Sequence, residues 1–346
     1  MSVLHLTNGS SLTSPIRAAG ILGAILPWDD VLHEGPVRAG LNVAAMRETR
    51  AEFLASCGWA PRDEIARSLA ARDAALEAAT GGSSAFVVAT AENEGHHQHV
   101  DEIVLWFEHD LYDQLQILQI LDRLPIDGGP RLTAVPDDDY LGYQPAARFP
   151  ELFAARREVT SSQRIAARDA WNAFRSEDPR AIVDVLQRVT DLPHLPAALR
   201  RHLQQFPSTR NGLSRTEQQS LEAISRGVTQ LRDIFTQANH QSEEALFMGD
   251  AAFLFHLRGL VRGPRPLVAR VEGVGHTAGD DARRARLPLS INDELTLTDD
   301  GRRVLAGDAD RVTLCGIDRW LGGTHLTGRA PVWRWNSRTG VLHRGS

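Results

Sequence analysis

Short apolar runs bounded by turn residues alternate with stretches of helical period along the first 145 residues. Residues 3–7 (Val-Leu-His-Leu-Thr) read as a strand. The turn Asn8-Gly9-Ser10-Ser11 follows, then a helix near 12–19 that Ser10 or Ser11 would cap and Gly20 would end. Residues 23–28 carry a second strand pattern. Residues 42–57 and 61–79 are Ala-rich and helical, and Phe86-Val87-Val88 reads as a short strand. Residues 102–107 (Glu-Ile-Val-Leu-Trp-Phe) are the strongest strand signal, a run of the buried kind. A helix over 110–121 and a strand over 131–135 come next. This alternation predicts an α/β domain over 1–144, a mostly parallel Rossmann-like sheet with flanking helices.

The period then changes. Residues 145–207 are helical and punctuated by Asp178-Pro179, Pro193 and Pro196, which predicts a helical connector. Residues 208–346 open with a linker-like stretch through Gly212. Helices near 214–226, 229–239 and 249–261 precede strands over 267–271 and 295–298. Three helices followed by a β-ribbon is the winged-helix order, so this part is expected to be a winged-helix-like α+β domain.

Composition narrows the function. The 346 residues are 42% hydrophobic and 24% charged, ordinary for a globular chain with a sizeable core. All 38 basic residues are arginine, so a P-loop lysine, a Schiff-base lysine and a lysine general base are excluded. Cys57 and Cys315 alone cannot build a disulfide framework or a Cys-rich zinc site. No apolar run reaches the roughly 18 residues of a membrane span, and the start of the chain lacks a secretory pattern. A cytosolic protein without a membrane partner is expected. Residues 1–150 hold 10 arginines and 21 acidic residues, whereas residues 151–346 hold 28 and 23. The first part therefore argues against a phosphate-backbone footprint, and the second permits one.

Two stretches concentrate candidate chemistry: Trp28-Asp29-Asp30-Val31-Leu32-His33-Glu34-Gly35-Pro36, and Trp106-Phe107-Glu108-His109-Asp110-Leu111-Tyr112-Asp113-Gln114. Each sets carboxylates and a histidine beside tryptophan and aliphatic residues, and buried charge is costly unless paired or used. In open parallel sheets ligands bind beyond the carboxyl ends of strands. Parallel strands would bring both stretches together there with Asn8, Gly9 and Ser10. Glu108, His109, Asp29, Asp30 and His33 are the candidates for acid/base or metal-assisted chemistry. Asn8, Gly9, Ser10, Trp28, Glu34, Asp110, Asp113 and Gln114 are candidates for holding a small polar ligand. Asp110 and Asp113 also suit the N-cap and N3 positions of a helix, a purely structural role. The spacing matches no metal signature and names no cofactor. His96-His97-Gln98-His99 reads as a polar surface loop with weak metal-binding capacity, and His5 as a satisfied core histidine.

These residues resemble a known family. The first 145 residues are similar to the bacterial domain-of-unknown-function family eighteen thirty-five, through His5-Leu6-Thr7-Asn8-Gly9-Ser10 and the two stretches above. That family typically carries aspartate where Ser10 stands, which weakens a catalytic role at that position. The resemblance implies relatives but no activity and no catalytic residues. Residues 316–323 resemble the tail of longer members. The phrase Leu295-Thr296-Leu297-Thr298-Asp299-Asp300-Gly301-Arg302-Arg303 resembles the wing-to-helix passage of bacterial winged-helix regulators. Three functions stay open: an α/β ligand-binding or catalytic domain, a ligand-sensing regulator whose Arg258 and Arg262 contact DNA, and a protein-interaction module.

Overall fold

The computed structural model describes residues 2–81, 100–136, 139–271, 288–329 and 331–345. Phe86-Val87-Val88 and His96-His97-Gln98-His99 lie outside the described residues. The chain divides into two units, Met1–Leu199 with Gly322–Thr324, and Arg200–Leu321 with His325–Ser346.

The first unit is built on a five-stranded sheet of order β2-β1-β4-β5-β6. Its strands are β1 (Val3–Thr7), β2 (Ala24–Pro27), β4 (Glu102–Trp106), β5 (Arg131–Ala134) and β6 (Arg157–Glu158); β3 is the two-residue strand Gly35–Pro36. β1 pairs in parallel with β2 and β4, and β4 in parallel with β5; only β6 is antiparallel. Thr7 is level with both Pro27 and Trp106, so three carboxyl ends finish together. Strand alternation sorts the core. Val3, Val104 and Trp106 face a cluster of Leu12, Ile16, Leu141, Phe149 and Leu152. Leu4, Leu6, Ile103 and Leu105 point to the opposite face and are also buried.

His5 is a satisfied core histidine. Its Nδ1 accepts the Trp106 indole N–H at 3.0 Å, and Nε2 lies 3.3 Å from the Leu22 carbonyl. Burial lowers its pKa, consistent with a neutral ring protonated at Nε2.

Helices α1 (Thr13–Ala18), α2 (Val43–Ser56), α3 (Arg62–Thr80) and α4 (Leu111–Arg123) flank the sheet. Neither Ser10 nor Ser11 caps α1. Gly9, at φ +97°, turns the chain into a 3-10 turn over Ser10–Leu12, and α1 starts only after it, without a side-chain cap. The helical stretch 145–207 contributes α5 (Phe149–Ala154), α6 (Ser161–Phe174), α7 (Arg180–Val185) and α8 (Leu195–Leu203), and the division between units falls within α8. α6 packs on α4: it buries Ala167, Ala170, Trp171 and Phe174, and Arg164 donates to the carbonyls of Pro125 and Ile126 just past α4. Most of the stretch read as a connector is thus part of the first unit's packing.

The second unit contains α9 (Arg215–Ser225), α10 (Leu231–Phe235) and α11 (Asp250–Val261), then the antiparallel pair β7 (Val268–Arg270) and β8 (Leu295–Leu297), then α12 (Asp299–Ala306). Ser214 and Glu217 close a capping box on α9. Further along, α13 (Arg311–Cys315) precedes β9 (Ile317–Gly322) and β10 (Thr324–Gly328), and β11 (Trp333–Asn336) pairs antiparallel with β12 (Val341–Arg344).

Candidate functional site

The chain runs from β1 to β2 on one side, then crosses to β4 on the other side of β1. The carboxyl ends of β1 and β4 therefore flank a topological switch point, the place where open α/β sheets form a crevice. Asn8 follows β1, and Glu108-His109-Asp110 follow β4. The Asn8 side-chain amide donates to Asp113 Oδ2 at 2.9 Å, and the backbone N–H of Glu108 donates to the same oxygen. One carboxylate of α4 thus ties the two loops together.

Local sequence explains the placement. Asp110 is extended, at φ −83° and ψ 172°, and its Oδ1 accepts the Asp113 N–H at 3.2 Å as the N-cap of α4. That bond starts the helix at Leu111 and places Asp113 in its first turn. Gln114, one residue on, donates its side-chain amide to the Glu108 carbonyl at 2.7 Å. The Gly142 N–H reaches Glu108 Oε1 at 3.3 Å from the 3-10 turn Leu141–Tyr143 beyond β5.

The result is a compact acidic cluster. Carboxylate oxygens of Glu108, Asp110 and Asp113 all lie within 4.8 Å of one another. The three residues are 7%, 4% and 1% exposed. Among the described residues no arginine forms an ion pair with Asp110 or Asp113. Burial, reinforced by the neighbouring Glu108, pushes Asp110 up to about 7. Asp113 is held well above the usual carboxylate range by burial and by Asp110 and Glu108 beside it. Such a cluster holds protons near neutral pH, or offers hard oxygen ligands to a cation.

His109 is half-buried beside the cluster. Its ring centroid lies 4.9 Å from that of Tyr140 and 6.0 Å from that of His194. These two neighbours carry no local sequence signal, because they come from loops 31 and 85 residues downstream.

The loop after β2 is organised differently. Asp30 is paired with Arg50 of α2, whose Nε and Nη2 both donate to Asp30 Oδ1 at 3.0 and 2.8 Å. The same guanidinium donates to the carbonyls of Glu34 and Val31 at 2.6 and 2.9 Å. Arg50 is 1% exposed, so the loop wraps around a buried cation. An arginine in an Ala-rich helix looks like a surface residue in sequence, which hid this anchor.

Trp28 is fully buried. The Arg72 guanidinium lies 4.0 Å from its ring, and its indole N–H donates to Gln119 at 2.8 Å. His33 and Glu34 are buried, and the His33 ring meets Tyr112 edge-on at 6.0 Å. Asp29 is exposed, with its carboxylate next to Gly9; a Cβ at Gly9 would stand 2.8 Å from Asp29 Oδ1. Positive φ and this close approach together require glycine there. Ser10 is exposed at the start of the 3-10 turn.

The crevice therefore gathers Asn8, Gly9, Glu108, Asp110, Asp113 and Gln114, with Asp29 beside Gly9 and His109 following Glu108. Hydrogen bonds and packing tie Asp30, Trp28 and Glu34 into the scaffold of the adjoining loop. In the second unit, Arg258 is half-buried on α11, which buries Phe253, Leu257 and Leu260 in the core. Arg262 is exposed at the C-cap of that helix, and Arg265 is paired with Asp300 at 2.6 Å. No helix among the described residues is long and apolar enough to cross a membrane. Comparison with protein-family models and with curated proteins found no match to this chain.

Proposed function

We propose that the first unit binds a small polar ligand in the crevice between β1 and β4 and performs acid/base chemistry on it, assisted by a divalent cation. The observation that carries this reading is the buried cluster of Glu108, Asp110 and Asp113. A buried carboxyl held near 7 exchanges protons at neutral pH, as a general acid or base must. Once deprotonated, three converging carboxylates suit Mg²⁺, Mn²⁺ or Ca²⁺. His109, with Tyr140 and His194 around it, is the second proton carrier. Asn8 and Gln114 fix the geometry through Asp113 and the Glu108 carbonyl.

Calorimetric titration with Mn²⁺ at pH 8 tests the cation. The wild type should bind, and Asp113→Asn should weaken binding at least tenfold. Absence of Mn²⁺ binding in the folded wild type rejects cation assistance. Membership of family eighteen thirty-five is part of the proposal, supported by the meeting of Asn8 with the Glu108–Gln114 stretch in one crevice. A cytosolic setting is also part of it, supported by two cysteines that form no disulfide.

A second reading concerns the other unit. Three helices followed by an antiparallel pair support a winged-helix assignment. Arg210, Arg215 and Arg338, with the single acid Glu222, line a cavity of about 690 Å³ at the start of α9, and this excess of arginine favours phosphate binding there. DNA binding should then fall with rising salt and weaken in Arg338→Ala, as read by fluorescence anisotropy. Salt-independent or absent binding rejects this reading and leaves the interaction module.

A further inference from the structure

We propose that the second unit takes a small free sugar phosphate in the cavity at the start of α9. The proposal rests on the DNA reading in one respect only, the attraction of the cavity's arginines for phosphate.

Charge comes first. Two of the three arginines lining the cavity have no carboxylate partner among the described residues. Arg338 is exposed, and its guanidinium makes no hydrogen bond to them. Arg210 donates to the carbonyls of Leu305 and Ala306, at 3.3 and 3.2 Å, where α12 ends. Arg215 is held by Gln204 Oε1 at 2.7 Å and by the Ser242 carbonyl at 3.0 Å, with Glu243 3.7 Å away. A phosphate monoester carries about −1.5 to −2 charge at pH 7 and three terminal oxygens, more on both counts than the diester of a strand. It therefore gains more from two guanidiniums without an ion-pair partner.

The neutral polar side chains are ordered so that donors are left over. Ser208 Oγ donates to Asn211 Oδ1 at 2.8 Å, Asn211 Nδ2 to Gln218 Oε1 at 3.0 Å, and Gln218 Nε2 to Glu222 Oε1 at 2.7 Å. Gln204 Oε1 accepts from Arg215, and Asn336 Oδ1 accepts the backbone N–H groups of Arg338 and Thr339. Each of these amide carbonyls is thus satisfied within the wall. The NH₂ groups of Gln204 and Asn336 donate to nothing among the described residues. A ligand rich in oxygen acceptors fits that surplus. Phe206, Leu213 and Trp335 supply apolar surface beside it. A sugar offers both kinds of contact, oxygens to the amides and C–H groups to the apolar side chains. An aromatic body would cover the amides without an acceptor. The volume, about 690 Å³, falls within the roughly 300–1,000 Å³ of small-molecule sites. A small molecule can enter such a hollow, whereas the convex backbone of a duplex stays at its rim.

The test titrates glucose 6-phosphate, ribose 5-phosphate, glucose and phenyl phosphate by calorimetry into the full chain at pH 7 and low salt. The better of the two sugar phosphates should bind at least tenfold more tightly than glucose and at least fivefold more tightly than phenyl phosphate. Arg338→Ala, at an exposed position, should weaken that sugar phosphate at least fivefold. Gln204→Glu keeps the acceptor that Arg215 uses but removes the free N–H groups, and should weaken it at least tenfold. Failure of both sugar phosphates to bind the wild type overturns the proposal. So does phenyl phosphate or glucose binding as tightly as they do, and so does an unchanged affinity in folded Arg338→Ala or folded Gln204→Glu. The wild-type ranking needs no variant to fold. Fluorescence anisotropy with DNA on the same preparation separates the two readings. Sugar-phosphate binding without DNA binding supports this proposal and rejects only the DNA reading; DNA binding without sugar-phosphate binding does the reverse.

Discussion

Asp110 caps α4 with one carboxyl and holds a proton that favours the folded state. Its pKa is raised to about 7 from an ordinary value near 3.8, so between those values the folded chain binds more protons than the unfolded one. Stability contributed by this group is complete below about pH 4 and is lost as pH rises through 7. Asparagine is an equally good N-cap and carries no charge. Asp110→Asn should therefore match the wild type near pH 4 and become increasingly the more stable of the two as pH rises to 8, read as urea midpoints across that range. Equal pH dependence in the two proteins would reject a perturbed Asp110. Asp110 as a cap was legible in the sequence, since the cap depends on neighbours three residues away. Asp113 read as an ordinary first-turn acid, because its partner Asn8 lies 105 residues earlier and no local pattern points to it.

At the scale of elements, the loop between β2 and α2 owes its shape to one buried guanidinium. Arg50→Met keeps the length of the side chain but leaves Asp30 buried without its cation and frees two carbonyls. Breaking such a pair costs about 3 kcal/mol. The loss should appear as a lower unfolding midpoint and as faster amide exchange at Leu32 and Glu34, with α4 unaffected. A change below 0.5 kcal/mol would show the pair to be energetically idle. Gly35 completes the same loop at φ +77°, with its missing Cβ position 2.3 Å from the Phe53 ring. The strands and the long helices were readable because period and length agree locally. The start of α1 was not, because the 3-10 turn takes up the N–H groups that a serine cap would have satisfied.

Over the whole molecule, α/β class followed from alternation, but the convergence of the two motifs depended on strand direction, which periodicity does not encode. The pairing of β1 with both β2 and β4 supplies it. Arg50 and His194 were unreadable for a related reason: each acts on residues far away in sequence. The charge asymmetry was visible from counting alone, and the acidic cluster lies in the unit where acids outnumber arginines.

The bond from Asn8 to Asp113 also sets an order of events. Helix α4 and its cap are local and can form within a short segment. The crevice requires β1 to find β4 across about a hundred intervening residues, a closure whose entropy is met only late in folding. During synthesis, the first strand therefore waits without its central partner until β4 has left the ribosome. Pulsed hydrogen exchange during refolding should show α4 amides protected before those that pair β1 with β4. Simultaneous protection would mean that the central strands pair in the first collapse. A chain that binds its ligand in this crevice is thus competent only after β1 has closed on β4, so binding reports on completed pairing of the central strands.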